Sequence, residues 1–138
     1  MKIAFVYDKG RPGVFAGRSY DMSNDGGSEG SMVRYAIALA DLGHDVTIYI
    51  PKIETHEYRG VKWCSIESSD RFDELFDVVI ALRFPEALKG MKASVNALYC
   101  CDPDVPGLTA YVNSGEIQVL IMISEYQKRS FQAQYGLA

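Results

Sequence analysis

The chain has few cysteines, only two histidines and no excess of positive charge. Its cysteines are Cys64, Cys100 and Cys101. An odd count with two adjacent does not make a disulfide framework, and no C-x-x-C or Cys/His cluster is present to hold a structural zinc. Lysine and arginine total 14 against 18 aspartates and glutamates, a formal net charge of -4 at pH 7. That balance disfavours a general nucleic-acid or anionic-membrane surface, where phosphates must be met by clustered cations. No apolar run approaches the roughly 20 residues of a membrane-spanning helix, and the run at 119–123 is far too short. The N-terminus passes straight into a strand pattern, Lys2-Ile3-Ala4-Phe5-Val6-Tyr7, without a secretory leader's profile. The expected compartment is the cytoplasm, with the protein free or peripheral at the inner face of the membrane. Neither G-x-G-x-x-G nor G-x-x-x-x-G-K-[ST] occurs, which argues against an NAD dehydrogenase and a P-loop NTPase.

What is present is a chain of 138 residues, 48% apolar, enough for one domain with a real core. Short apolar runs alternate with helical patterns. Strands are expected at 3–7, 45–50, 61–66, 78–82, 95–100 and 119–123. Helices are expected at 28–42, 69–76, 85–91 and 108–113, and from Ser124 onward. Ser28 suits the N-cap of the first long helix, Glu29 its first turn, and Gly43 its C-terminal cap. Ser124 and Gln127 read as a capping box. Such alternation predicts an α/β fold: a Rossmann-like α/β/α arrangement of three layers with a mostly parallel sheet. Right-handed crossovers then gather the strand-to-helix loops at one edge, where ligands of open α/β sheets bind.

The first loop, 8–27, is long for a βα connection, which ordinarily spans about 2–6 residues. Its sharpest feature is Gly26-Gly27-Ser28-Glu29. Two glycines before a helix let backbone approach a ligand, and the helix start offers free N–H groups to an anion. The same residues equally describe an ordinary glycine-rich start of a helix. Asp102 follows a strand and precedes Pro103, so it is either a carboxylate facing the cleft or a turn-capping aspartate. Arg83 follows the fourth strand and either binds an anion or pairs with Glu86. Arg18 either closes over a ligand or is solvated, and Glu125 either reaches the cleft or complements the helix dipole. Lys128 and Arg129 read as a solvated face. His44 and His56 have no partner visible in the sequence. Cys64 reads as core, and Cys100 and Cys101 point to opposite strand faces.

The segments Gly26-Gly27-Ser28-Glu29, Tyr35-Ala36-Ile37-Ala38-Leu39-Ala40 and Leu42-Gly43-His44-Asp45-Val46-Thr47 together resemble the N-terminal domain of family 4 glycosyltransferases. Phe76-Asp77-Val78-Val79-Ile80-Ala81 is similar to the fourth-strand pattern of that family. Ser124-Glu125-Tyr126-Gln127-Lys128-Arg129, followed by Tyr135-Gly136-Leu137, is similar to the segment that ends its N-terminal domain. The resemblance spans nearly the whole chain. It implies one half of a GT-B fold, in which two Rossmann-like domains face each other across a cleft. It implies a retaining transferase moving a sugar from an activated, nucleotide-linked donor to a carbohydrate or lipid-linked acceptor. The donor is a substrate, and neither a cofactor nor a metal is implied.

By that resemblance Gly26, Gly27 and Ser28 approach the donor phosphates. Asp102 is the candidate catalytic carboxylate. Arg18, Arg83, Cys101 and Glu125 are candidates on the acceptor side. Relatives with a similar fifth strand often read His-Asp where this chain has Cys101-Asp102, and cysteine cannot supply imidazole chemistry near neutral pH. The family's second domain carries an E-x7-E carboxylate pair, and no two glutamates here have that spacing. The C-terminal, donor-binding domain is thus absent from these residues. The expectation is a half-enzyme, inactive alone, whose exposed cleft face favours self-association. Two other readings stay open: a GT-B-like nucleotide-sugar 2-epimerase, and a non-catalytic binding or assembly module.

Overall fold

A computed structural model describes residues 1–9 and 27–137. Its strands are β1 (Lys2–Val6), β2 (Asp45–Ile50), β3 (His56–Tyr58), β4 (Val61–Ser65), β5 (Leu75–Leu82), β6 (Lys92–Cys100) and β7 (Val119–Met122). Among the described residues three α-helices accompany them: α1 (Gly27–Asp41), α2 (Leu108–Asn113) and α3 (Glu125–Tyr135). Short 3-10 turns lie at Ser69–Phe72 and Pro85–Leu88. The seven strands form one sheet in the order β3-β4-β2-β1-β5-β6-β7. Every pairing is parallel except β3 with β4. The fold is α/β and Rossmann-like, as the alternation predicts.

The two sides of β1 fill separate cores. Ile3, Phe5 and Tyr7 meet Met32, Val33 and Ala36 of α1 on one face. Ala4 and Val6 join the opposite core, which takes in Leu108 of α2 and Phe131 of α3. A parallel strand buried on both faces must be apolar throughout, which is why β1 reads as a continuous run.

Three elements differ from expectation. β3 lay unseen because its three residues are largely exposed and show no alternation. Its turn onto β4 has positive φ at both Arg59 (53°) and Gly60 (77°), the backbone of a two-residue I′ hairpin. The segment 69–76 is only one 3-10 turn, because Leu75 and Phe76 are drawn into β5 by pairing with Lys92 and Ala93. The 85–91 helix is likewise a single turn, Pro85–Leu88.

α1 ends as predicted. Gly43 has φ +93°, its amide bonds Ala40 O at 2.9 Å, and the His44 amide bonds Leu39 O at 3.1 Å. This is a Schellman cap, and glycine adopts its left-handed turn without steric penalty. Chain order reverses direction about β1, whose two neighbours are β2 and β5. That reversal sets the start of α1 and the residues that follow β5 and β6 at one edge of the sheet, the usual ligand position in such folds.

Candidate functional site

Three elements build a crevice. α1 contributes Gly27, Ser28 and Ser31; β5 leads into Arg83; β6 supplies Tyr99 and leads into Cys101 and Asp102, with Ile123 closing the side. The volume is about 240 Å³. Gly26 and Arg18 lie outside the described residues.

The start of α1 differs from the sequence reading in one respect. Gly27 has φ +82°, so it, not Ser28, is the non-helical first residue. That left-handed backbone is one that glycine takes at the least steric cost. Ser28 is already helical in register, and its hydroxyl donates to Glu29 Oε2 at 3.2 Å. Glu29 also accepts a hydrogen bond from Tyr7 Oη at 3.1 Å. Burial and the Glu29 charge push the Tyr7 phenol up, while Arg83 pulls it the other way, so the phenol stays protonated and donating.

Arg83 pairs with Asp102, not Glu86. Its Nε donates to Oδ2 at 3.0 Å and its Nη2 to Oδ1 at 2.7 Å, a two-pronged contact with both side chains about 30% exposed. The Asp102 hydrogen bonds hold the guanidinium charged, against a smaller opposing effect of burial. Arg83 itself has φ +65°, and the next amide, Phe84 N–H, bonds Leu82 O at 2.7 Å. An i→i+2 bond around a positive φ is a strained γ-turn. Such strain costs of order 1–3 kcal/mol and gathers at functional positions.

Asp102 is aimed from behind. Gln127, only 7% exposed, donates through Nε2 to Cys100 O at 3.0 Å and Asp102 O at 3.2 Å. Its Oε1 accepts the Ile123 amide at 2.8 Å. Ser124 caps α3 by accepting the Gln127 amide at 3.1 Å, but the Gln127 side chain does not return to Ser124, so the capping box is half formed. Tyr135 fastens the same loop by accepting the Val105 amide at 2.7 Å. In the sequence Gln127 reads only as a capping residue. Its position one helical turn from the β7–α3 junction was the available signal.

Cys101 lines the crevice but is no substitute for a basic histidine. Burial pushes its thiol up to about 11, with Arg83 only partly opposing. Cys100, buried on the other face, is pushed up to about 12, again chiefly by burial. Cys64 is half-buried and shifted in the same direction for the same reason. A thiol titrating near 11 is roughly 0.1% thiolate at pH 8, against about a quarter for an unperturbed cysteine. Alkylation by iodoacetamide at pH 8 is therefore expected to be more than tenfold slower for the folded chain than for free cysteine, and to accelerate as pH approaches 11. Rapid modification of Cys101 at neutral pH would show a thiolate-stabilising environment absent from this geometry.

Glu125 is exposed in the first turn of α3 and is not part of the crevice wall. His44 meets the N-terminal amine at 3.0 Å, and His56 stacks on Trp63, both far from the crevice. Among the described residues no group of three or more His, Cys, Asp or Glu is placed to hold a metal ion, and no helix is long and apolar enough to cross a membrane. Comparison of this chain with protein-family models, with curated proteins and with solved structures finds no match in any of the three.

Proposed function

We propose that this chain is the acceptor-side half of a GT-B glycosyltransferase, transferring a sugar with retention from a nucleotide-linked donor to an acceptor hydroxyl. One observation carries the reading: Gly27 and Ser28, which open α1, and Asp102 line the same crevice. The first set suits a phosphate, and the second suits a hydroxyl. The resemblance of Gly26-Gly27-Ser28-Glu29 to the family's glycine loop supports the same assignment.

In this reading the bond from the sugar's anomeric carbon to the leaving phosphate breaks as the bond to the acceptor oxygen forms on the same face. The departing phosphate takes the acceptor proton. This domain contributes orientation of the acceptor and N–H donors for the charge on the leaving diphosphate. No step is assigned to Cys101, whose thiol stays protonated. Asp102 orients the acceptor hydroxyl.

A crevice of about 240 Å³ falls below the roughly 300–1,000 Å³ of pockets that enclose small ligands. A nucleotide-sugar needs a second wall, so the 138-residue chain alone is expected to bind weakly and show no turnover. Titration of the ¹⁵N-labelled chain with millimolar UDP or GDP is expected to move the Gly27 and Ser28 amides and to leave those of β3 still. If neither nucleotide moves those two amides, the reading fails.

A further inference from the structure

We propose that Arg83 is a phosphate-binding side chain kept closed by Asp102: a phosphate oxyanion takes the guanidinium, and the released carboxylate becomes free to accept a ligand hydroxyl. This rests on the transferase reading and names the group that the crevice takes.

The Arg83–Asp102 pair is a partition. On one side lies the crevice against α1. On the other lies a pocket of about 350 Å³ walled by Phe84, Pro85, Val105 and Pro106, with Glu86 and Asp104 also in its lining. Arg83 and Asp102 are the two residues common to both. Parting the two side chains joins the spaces into one of ligand size.

The exchange needs only side-chain rotation. The backbone beneath Arg83 is fixed by its own amide bonding Tyr99 O at 3.0 Å and by the γ-turn bond at Phe84. The backbone beneath Asp102 is fixed by Gln127. A carboxylate offers two oxygens to the guanidinium fork in the same arrangement as a phosphate, so Asp102 fills the place of a phosphate oxyanion. A phosphate carries more charge and a third oxygen, and that third oxygen can face the amides opening α1.

The charge balance favours the exchange. Among the described residues Arg83 is the one cationic side chain lining the crevice, and Asp102 already neutralises it. Glu29 acts on Arg83 as a second carboxylate, and the hydroxyls of Tyr7 and Ser28 hold it in place. Among the described residues an anion entering the closed crevice finds no uncommitted lining cation; one that displaces Asp102 does. Lys9, whose Nζ lies 6.0 Å from the centre of the Phe84 ring, adds attraction from the neighbouring side.

The phosphate could belong to the leaving diphosphate or to a phosphorylated acceptor, and two probes separate these sources. The wild-type chain, Asp102→Asn and Arg83→Gln are titrated with UDP and with glucose 6-phosphate, with binding read from amide shifts. Asp102→Asn keeps the shape of the side chain while removing its charge, and near-ultraviolet circular dichroism checks that it folds; Asp102→Ala repeats the test. The expected result is about tenfold tighter binding of at least one probe by the Asp102 variants, and its loss in Arg83→Gln. A gain for UDP identifies the diphosphate, and a gain for glucose 6-phosphate identifies the acceptor. No gain for either probe, or wild-type binding by Arg83→Gln, overturns the proposal. UDP moving the Gly27 and Ser28 amides equally in wild type and Asp102→Asn, with no gain for glucose 6-phosphate, keeps the transferase reading while ending the exchange. A gain for glucose 6-phosphate with no response to UDP anywhere does the reverse.

Discussion

Gly27→Val is expected to lower sugar-transfer turnover by roughly a hundredfold in an enzyme that carries both halves of the fold, the typical cost of losing one N–H donor to a developing oxyanion. The domain itself should remain folded. Gly27 has φ +82°, and among the described residues a Cβ added there meets nothing within 4 Å. The penalty is backbone strain, not collision. It amounts to about 1–2 kcal/mol for an ordinary L-residue and more for a β-branched one, against a typical domain stability of 5–15 kcal/mol. The chain relieves that strain by rotating φ towards negative values, which swings the first amides of α1 away from the crevice. Only a role in which the amide direction matters turns this rotation into lost catalysis. Turnover, UDP affinity and the thermal melt together decide the matter. Unchanged kinetics would remove the phosphate contact, and an unfolded variant would make Gly27 a purely structural residue.

The parts of this fold legible in the sequence are those where one residue type answers one local demand. β1 had to be apolar throughout because helices and turns cover both its faces, and the run from Ile3 to Tyr7 says so. Gly43 had to end α1 because the Schellman turn requires a positive φ. β3 was hidden because an exposed edge strand of three residues carries no burial pattern. Its trace was the Arg59-Gly60 pair between Tyr58 and Val61, where arginine at φ 53° is not a residue that advertises a hairpin turn. The strand ends at Leu75 and Lys92 were hidden for another reason. Their extension comes from pairing with each other, a long-range contact that overrides local preference among charged neighbours.

The site divides the same way. Topology alone placed Arg83, Asp102 and the start of α1 at one edge, since each follows a parallel strand or opens the helix after one. Which carboxylate meets Arg83 was not legible. Glu86 is three residues away in sequence, Asp102 is 19, and only the parallel pairing of β5 with β6 brings the latter alongside. The positive φ at Arg83 was equally silent, because nothing in the sequence announces a γ-turn built on arginine. Tyr7 is the reverse case. As the last apolar residue of its run it reads as core, and so it packs, while its hydroxyl reaches Glu29 at the mouth of the crevice.

Gln127→Met tests whether the site depends on this hidden scaffold. Methionine keeps the length and volume of the side chain but offers no donor and only a weak acceptor. Two carbonyls, of Cys100 and Asp102, and the Ile123 amide then lose their partners. A buried polar group left unpaired costs about 1–3 kcal/mol, so the variant should lose roughly 2–5 kcal/mol, with water reaching some of the three groups. For a domain of this size that is a fall of about 10 °C in melting temperature. The Ser124 cap survives, because it uses the Gln127 main-chain amide, so α3 should persist and the loss should centre on the loop at 101–105. Asp102 would then lose its backbone anchor but not its carboxylate, separating position from chemistry. Thermal melts and amide exchange at Cys101 and Ile123 provide the measurement. A Gln127→Met chain that melts within a degree or two of wild type, with protection at Ile123 intact, would mean that Tyr135 and the sheet alone hold the Asp102 turn. The aim of the Arg83–Asp102 pair would then be set by the ion pair itself.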